Sequence, residues 1–264
     1  MVEESPSRSE RVAARSASRK DTRSPLRRVL DGVREFVIIV IVALLVATLL
    51  KTFVAQMFII PSQSMENTLE INDRVVAMKI TKYERGDIIV FEDKMDWLPA
   101  AAPPSAWQKL LEFVGVLPAS GDQYLVKRLV GLPGDHVVCC SASGKMTVNG
   151  VEVEESSYLY PNVDGTFVKP SEIAFDIVVP AGRVFVMGDH RNRSADSRYH
   201  LCDTSLGTKG LAAFPAITSI QGPVRATGFP FARARTFSVP ETFKSVPAAL
   251  AAPPPSPQIT VANC

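Results

Sequence analysis

Residues 36–50 read FVIIVIVALLVATLL, with no charged side chain among them. At about 1.5 Å per residue the run makes a helix of about 22 Å, short of the roughly 30 Å hydrocarbon core of a bilayer. Continuing through Lys51, Thr52, Phe53, Val54 and Ala55 closes the gap, because a lysine near a helix end carries its ammonium out to the headgroups. The stretch therefore predicts one transmembrane helix over residues 35–56. Residues 1–34 hold nine Lys or Arg against five Asp or Glu, no aromatic side chain and few large apolar ones. That composition buries too little surface to offset the entropy of ordering it, so the segment is expected to be disordered. Its basic charge predicts a cytoplasmic N-terminus, with everything after the helix outside. A cleaved leader would have a shorter basic lead and a small-residue site after the apolar run, and this sequence matches neither well. No second run reaches spanning length. Residues 107–117, WQKLLEFVGVL, contain Lys109 and Glu112 and read as a short helix that packs on the domain or lies on the membrane surface.

Beyond the apolar run the pattern changes to short Val- and Ile-rich segments broken by Gly, Pro and Asp, which is the signature of strands. Strands are predicted at 58–60, 74–79, 87–91, 124–131, 136–139, 145–148, 172–178, 183–187 and 224–228. Asn149-Gly150 between Val148 and Val151 predicts a type I′ hairpin. The expectation is a mainly β domain over 57–246, within the size one core can serve in a chain of 264 residues. Residues 92–122 interrupt it as an insertion with a mobile part around 99–104, and the Ala- and Pro-rich residues 247–264 are expected to be a disordered tail. A net charge of +2 gives no reason to expect nucleic acid.

Cys139, Cys140, Cys202 and Cys264 all fall on the side assigned as extracytoplasmic, where disulfides persist. Adjacent cysteines sit about 3.8 Å apart at Cα, closer than disulfide geometry prefers, and so rarely pair with each other; compartment and count alone leave open a bridge from Cys139 or Cys140 to Cys202. No metal-ligand spacing is present, and neither a structural metal nor a cofactor is expected.

Three polar motifs punctuate the β segments. In Pro61-Ser62-Gln63-Ser64-Met65, Pro61 ends regular hydrogen bonding and puts two serines on a turn. In Tyr124-Leu125-Val126-Lys127-Arg128-Leu129, alternation gives Lys127 apolar company, Leu125 and Leu129, on one strand face. An ordinary lysine is neutral in only about one molecule in 2,500 at pH 7, and apolar burial raises that fraction enough for it to deprotonate a hydroxyl. The third motif, Gly188-Asp189-His190-Arg191-Asn192-Arg193-Ser194-Ala195-Asp196-Ser197-Arg198, is a strand end running into a dense polar loop. Taken singly, each also reads as something ordinary: a helix cap, a snorkelling edge lysine, a solvated loop.

Together they resemble the bacterial type I signal peptidases. Pro61-Ser62-x-Ser64-Met65 with Thr68-Leu69, then Gly86-Asp87-Ile88-Ile89-Val90-Phe91, Lys127-Arg128 with Gly131-Leu132-Pro133-Gly134-Asp135, and Gly188-Asp189 with Ser194-Ala195-Asp196-Ser197-Arg198 match that family's motifs in order behind an anchor helix. The resemblance covers roughly 36–230 and implies a mainly β catalytic domain, of the fold shared with LexA-type proteases, behind one N-terminal transmembrane helix. It also implies a serine endopeptidase that removes signal peptides from secreted preproteins after small residues, in an Ala-x-Ala pattern. By the same resemblance Ser64 is the nucleophile and Lys127 its general base, while Ser62 and the Ser64 N–H form the oxyanion hole and Ser194 orients the lysine amine. Asp196 and Arg198, and Arg128 with Asp189, are implied as structural ion pairs. Ile60, Met65, Leu125 and Val126 are the expected lining of shallow substrate pockets. The implied partners are preproteins, membrane lipid and a nearby secretion translocon.

Two positions depart from the family pattern: Asn67 where many members have Pro, expected to loosen the turn after the nucleophile, and His190 where Asn is common. His190 also invites a Ser-His-Asp reading with Asp189 or Asp196, but no Gly-x-Ser-x-Gly elbow is present and adjacent residues of an extended chain point to opposite sides. A self-cleaving LexA-like protease would carry a DNA-binding helix-turn-helix rather than an apolar span. A catalytically silent, membrane-anchored binding protein is the alternative from another class. The single span, the insertion and the Cys139-Cys140 pair resemble actinobacterial members. A nucleophile only four residues past Ile60 is expected within about 15 Å of the outer membrane face.

Overall fold

A computed structural model describes residues 24–99, 105–113 and 123–261, and divides the chain into two compact units, Met1–Val46 and Ala47–Cys264. The long helix α1 runs Pro25–Phe53. It starts earlier than its apolar run, because Ser24 accepts the Arg27 N–H through its hydroxyl and Pro25 suits a first helical position. Residues 25–34, expected to be disordered, are therefore helical; the rest of that expected segment, 1–23, lies outside the described residues. Its apolar residues are exposed along its length, as a helix surrounded by lipid requires. The expected end at Gln56 is also corrected: the next strand claims residues from Ala55 onward, pairing Gln56 with Ala77.

The domain that follows is built on antiparallel sheets. The larger takes β1 (Ala55–Ile59), β2 (Arg74–Met78), β10 (Ile220–Phe229), β3 (Ile88–Glu92), β4 (Tyr124–Gly131) and β9 (Phe185–Met187) in that spatial order, with β11 (Arg235–Thr236) paired to β10. Four steps separate β1 from β4, about 19 Å in a flat sheet. Yet Phe58 of β1 meets Tyr124 of β4 edge to face, their rings 4.9 Å apart. The sheet is therefore curled. Its concave side holds Phe58, Ile60, Met65, Leu69, Val75, Ala77, Ile88, Val90, Val126 and Val224. Register shifts along β10, one of them at Gly222, supply local bending, since a bulge increases a strand's twist. Ile89, Phe91, Leu129, Val184 and Val186 pack on the opposite side.

A second sheet has the order β12 (Gln258–Val261), β8 (Phe175–Val178), β5 (His136–Cys139), β6 (Thr147–Val148) and β7 (Val151–Glu152). Asn149 and Gly150 take φ of 51° and 81° between β6 and β7, the left-handed pair that the hairpin required. Its core, around Val137, Phe175, Ile177, Phe185 and Phe214, joins the two sheets through β9.

The tail expected to be disordered is ordered over 247–261, the part of it that is described. β12 pairs with β8, Asn149 Nδ2 donates to Pro247 O at 2.9 Å, and Ile259 and Val261 pack against the core. Composition missed it because the alternation of Gln258-Ile259-Thr260-Val261 is only four residues long behind a Pro-rich lead. Within the insertion, Trp97 stacks on His200 and donates to Ala212 O at 2.8 Å. Its helix α2 spans Ala106–Phe113, with Trp107 and Leu110 exposed. Of the part expected to be mobile, 100–104 lies outside the described residues. Cys139 is joined to Cys140, not to Cys202; the peptide between them is cis, a geometry that reasoning from trans spacing leaves out. Cys202 is disulfide-bonded too.

Candidate active site

β1 delivers the chain to Ile60, where Pro61 stops the ladder and Ser62 in an extended conformation caps a single 3-10 turn, Gln63–Met65. Ile60 and Met65, 2% and 1% exposed, flank Ser64 and, with the fully buried Leu69, root this turn in the concave core. Lys127 comes from the middle of β4, its backbone opposite Ile89 of β3. It is 3% exposed, and its Nζ lies 2.6 Å from Ser64 Oγ and 3.2 Å from Val126 O. Burial lowers the Lys127 pKa from 10.5 to about 8; Asp196 and Asp189 pull it back up in part, and Arg198 adds to the fall. A site that brings an amine so easily neutralised to a serine hydroxyl can move that hydroxyl's proton.

Ser62 Oγ stands 3.3 Å from Ser64 Oγ on the solvent side of the turn. Ser194 is buried beside the site, its hydroxyl near enough to the Asp196 carboxylate to help lower its pKa but without a hydrogen bond of good geometry. The expected bond from Ser194 to the lysine is not formed here; the contacts of Lys127 Nζ are Ser64 Oγ and Val126 O. Gly188 brings these parts together: a Cβ there would collide with both Ser64 O and the Ser194 side chain.

Both expected ion pairs are present and buried. Arg128 forks onto Asp189, Nε to Oδ1 at 2.7 Å and Nη2 to Oδ2 at 2.5 Å, and its guanidinium lies 4.2 Å from the centre of the Tyr158 ring. Thr68 donates to Asp189 Oδ2 at 2.5 Å, which ties the segment after Ser64 to the same carboxylate. Asp196 accepts from Arg198 Nε and Nη2, each at 2.8 Å, and from the Gly188 N–H at 2.9 Å. Burial alone would raise the Asp196 pKa; Arg198 overcomes it and holds the carboxyl below its ordinary range.

The expected pocket residues do not share one surface. Ile60, Met65 and Val126 belong to the concave core, whereas Leu125 packs against the cluster on the other side. Ile60 and Met65, at 2% and 1% exposed, are packing residues. A cleft of about 320 Å³ next to the site takes in Asn67, Thr68, Ile88, Arg128, Tyr158 and Arg235 instead.

His190 does not face a serine. Its Nδ1 meets Glu66 Oε2 at 2.8 Å and its ring stacks on Tyr160 with centroids 3.8 Å apart, which removes the Ser-His-Asp reading. Asn67 takes φ of 78°, closed to proline, and donates to Tyr158 O and Leu159 O at 3.3 and 3.0 Å, so the turn is tethered rather than loosened. Sequence reasoning missed the buried pair of Arg191 and Glu155, in which Arg191 also donates to Gly188 O at 2.9 Å. Nothing in the polar run separates Arg191 from its solvated neighbours. Among the described residues no group of His, Cys, Asp and Glu could hold a metal ion.

Comparison with known proteins identifies the family. The "Probable signal peptidase I" of Mycobacterium leprae is 38% identical over 181 residues, covering 61% of each chain. The "Signal peptidase I" of Mycobacterium tuberculosis is 32% identical over 208 residues, covering 69% of this chain and 67% of its own. The alignment thus spans about three-fifths of the first relative's length. A solved signal peptidase I from Enterococcus faecalis is 24% identical, covers 55% of this chain and 97% of its own, and superposes with a TM-score of 0.33. A sequence model described as "Signal peptidase, peptidase S26" matches residues 33–225, well over half of the 264, and the chain belongs to that family.

Proposed function

We propose that this chain is a type I signal peptidase, a serine endopeptidase that cuts signal peptides from secreted preproteins. The observation that carries the reading is the 2.6 Å approach of a buried, depressed-pKa lysine amine to a serine hydroxyl. In the proposed reaction neutral Lys127 takes the proton from Ser64 Oγ as that oxygen attacks the scissile carbonyl. The Ser64 N–H and the Ser62 hydroxyl donate to the developing oxyanion. The lysine ammonium then gives its proton to the departing amine, and water, deprotonated by the same lysine, hydrolyses the acyl-enzyme. Asp189 and Asp196 act through their arginines as scaffolding. Ser194, close by, orients the lysine once it rotates toward it.

α1 is the anchor in this reading, with its basic flank cytoplasmic and the β domain outside. Ser64 follows the helix end, Phe53, by eleven residues, five of them in β1, which sets its reach from the membrane at about 36 Å at most. That relaxes the 15 Å expected from sequence, because a strand intervenes. Enzyme and preprotein then share one membrane, which raises effective concentration without an energy source or cofactor. Cleavage after small residues and work beside the translocon belong to the same proposal. Purified full-length protein in detergent is incubated with a preprotein, alongside Ser64→Ala and Lys127→Ala. The wild type is expected to release the mature form and both variants to lose that activity; equal cleavage by all three would end the reading.

A further inference from the structure

His190 grips the nucleophile's turn in two ways. Its backbone N–H donates to Ser64 O at 3.1 Å, and its ring Nδ1 meets the carboxylate of Glu66, two residues past the nucleophile, at 2.8 Å. The ring is itself fixed by Tyr160, lying nearly parallel at 7° and 3.8 Å. Tyr160 is held in turn, its N–H donating to Asp189 O at 3.3 Å and its carbonyl accepting from Val168 N–H at 3.0 Å. Both side chains are largely enclosed, His190 at 9% and Glu66 at 15% exposed, so the pair is shielded from the solvent competition that weakens surface pairs.

The turn needs such a hold. It is one 3-10 turn long, and Asn67 just beyond it adopts a left-handed backbone that the local sequence alone does not fix. Ser64 Oγ must stay within hydrogen-bond reach of Lys127 Nζ, about 2.6–3.2 Å, to exchange a proton. Met65 anchors the turn from the core side; Glu66 anchors it from the loop side.

We infer that Glu66 and His190 form a positioning clamp that holds Ser64 in line with Lys127. The inference rests on the reading of Ser64 as nucleophile and adds two residues that touch no reacting atom.

The test measures kcat, KM and melting temperature for Glu66→Ala, His190→Ala, the double variant and Glu66→Gln, with wild type and Ser64→Ala as references. Each alanine variant is expected to lose about tenfold in kcat with KM nearly unchanged, the size of one charge-assisted hydrogen bond no longer holding the reacting geometry. The double variant should lose no more than the worse single one, because the two act as a unit. Glu66→Gln, which can still bond the ring, should recover most of the rate. A purely structural pair would lower the melting temperature and leave kcat of the folded enzyme unchanged. That outcome, or additive losses in the double variant, overturns the clamp. If the alanine variants do not fold, Glu66→Gln and His190→Phe, which keeps an aromatic ring against Tyr160 but has no donor, decide it: wild-type kcat in both refutes it, and reduced kcat in His190→Phe alone supports it. An active Ser64→Ala would instead overturn the assignment of the nucleophile, whereas an inactive one beside unimpaired clamp variants overturns the clamp alone.

Discussion

Replacing Lys127 by methionine should make the protein more stable while making it inert. Lys127 is wholly enclosed and its pKa falls from 10.5 to about 8, so holding it protonated in the fold costs about 3 kcal/mol. Methionine fills a similar length of slot and carries no charge. Against the gain stand two lost hydrogen bonds, to Ser64 Oγ and Val126 O, at about 1 kcal/mol each. The net expectation at pH 7 is a gain of about 1 kcal/mol. The pH dependence is sharper than the net value. Between pH 8 and 10.5 the unfolded lysine binds a proton that the folded one does not, so wild-type stability rises with pH through that window. Lys127→Met lacks this rise. Its advantage should shrink from about pH 8 upward and reverse before pH 10.5. Urea unfolding of both full-length proteins in the same detergent, at intervals from pH 7 to 9.5, measures the difference and cancels every other titrating group. A stability gap independent of pH would refute the claim that burial sets the lysine's charge.

The same amine predicts the rate profile: kcat/KM should climb about tenfold per pH unit below about 8 and level off above it, measured with one preprotein from pH 6 to 9.5. A flat profile would remove Lys127 as base. Gly188→Ala should cost both activity and stability, at least about a hundredfold in kcat, since a methyl there strikes Ser64 O and the Ser194 side chain. A Gly188→Ala enzyme with wild-type turnover would show that the loop is free to step aside.

What the sequence disclosed followed the range of the forces involved. β4 and β5 occupy the expected residues because their alternation is long or sharply bounded, and Asn149-Gly150 dictates its own turn. The Ser64, Lys127 and Gly188-Asp189 segments were legible as motifs, although only a curled sheet brings them together. The rest depended on contacts that local pattern does not encode. β12 exists because β8 offers it an edge, and Arg191 is buried because Glu155 waits inside. Ile60 and Leu125 look equally apolar on paper, yet they lie on opposite sides of the sheet. Asn67 was read as a missing proline, when its amide supplies the restraint by another route.

The curl that brings Phe58 against Tyr124 also sets when the proposed chemistry becomes available. Ser64 hangs from the first strand of the large sheet and Lys127 from a strand four places away, so no local hairpin contains both. A chain emerging half-folded therefore carries the parts of a protease without its edge. Only closure of the whole sheet arms it, and by then α1 has already been made and is available to a bilayer. Until the sheet closes, the distance between the two strands keeps the proposed dyad apart.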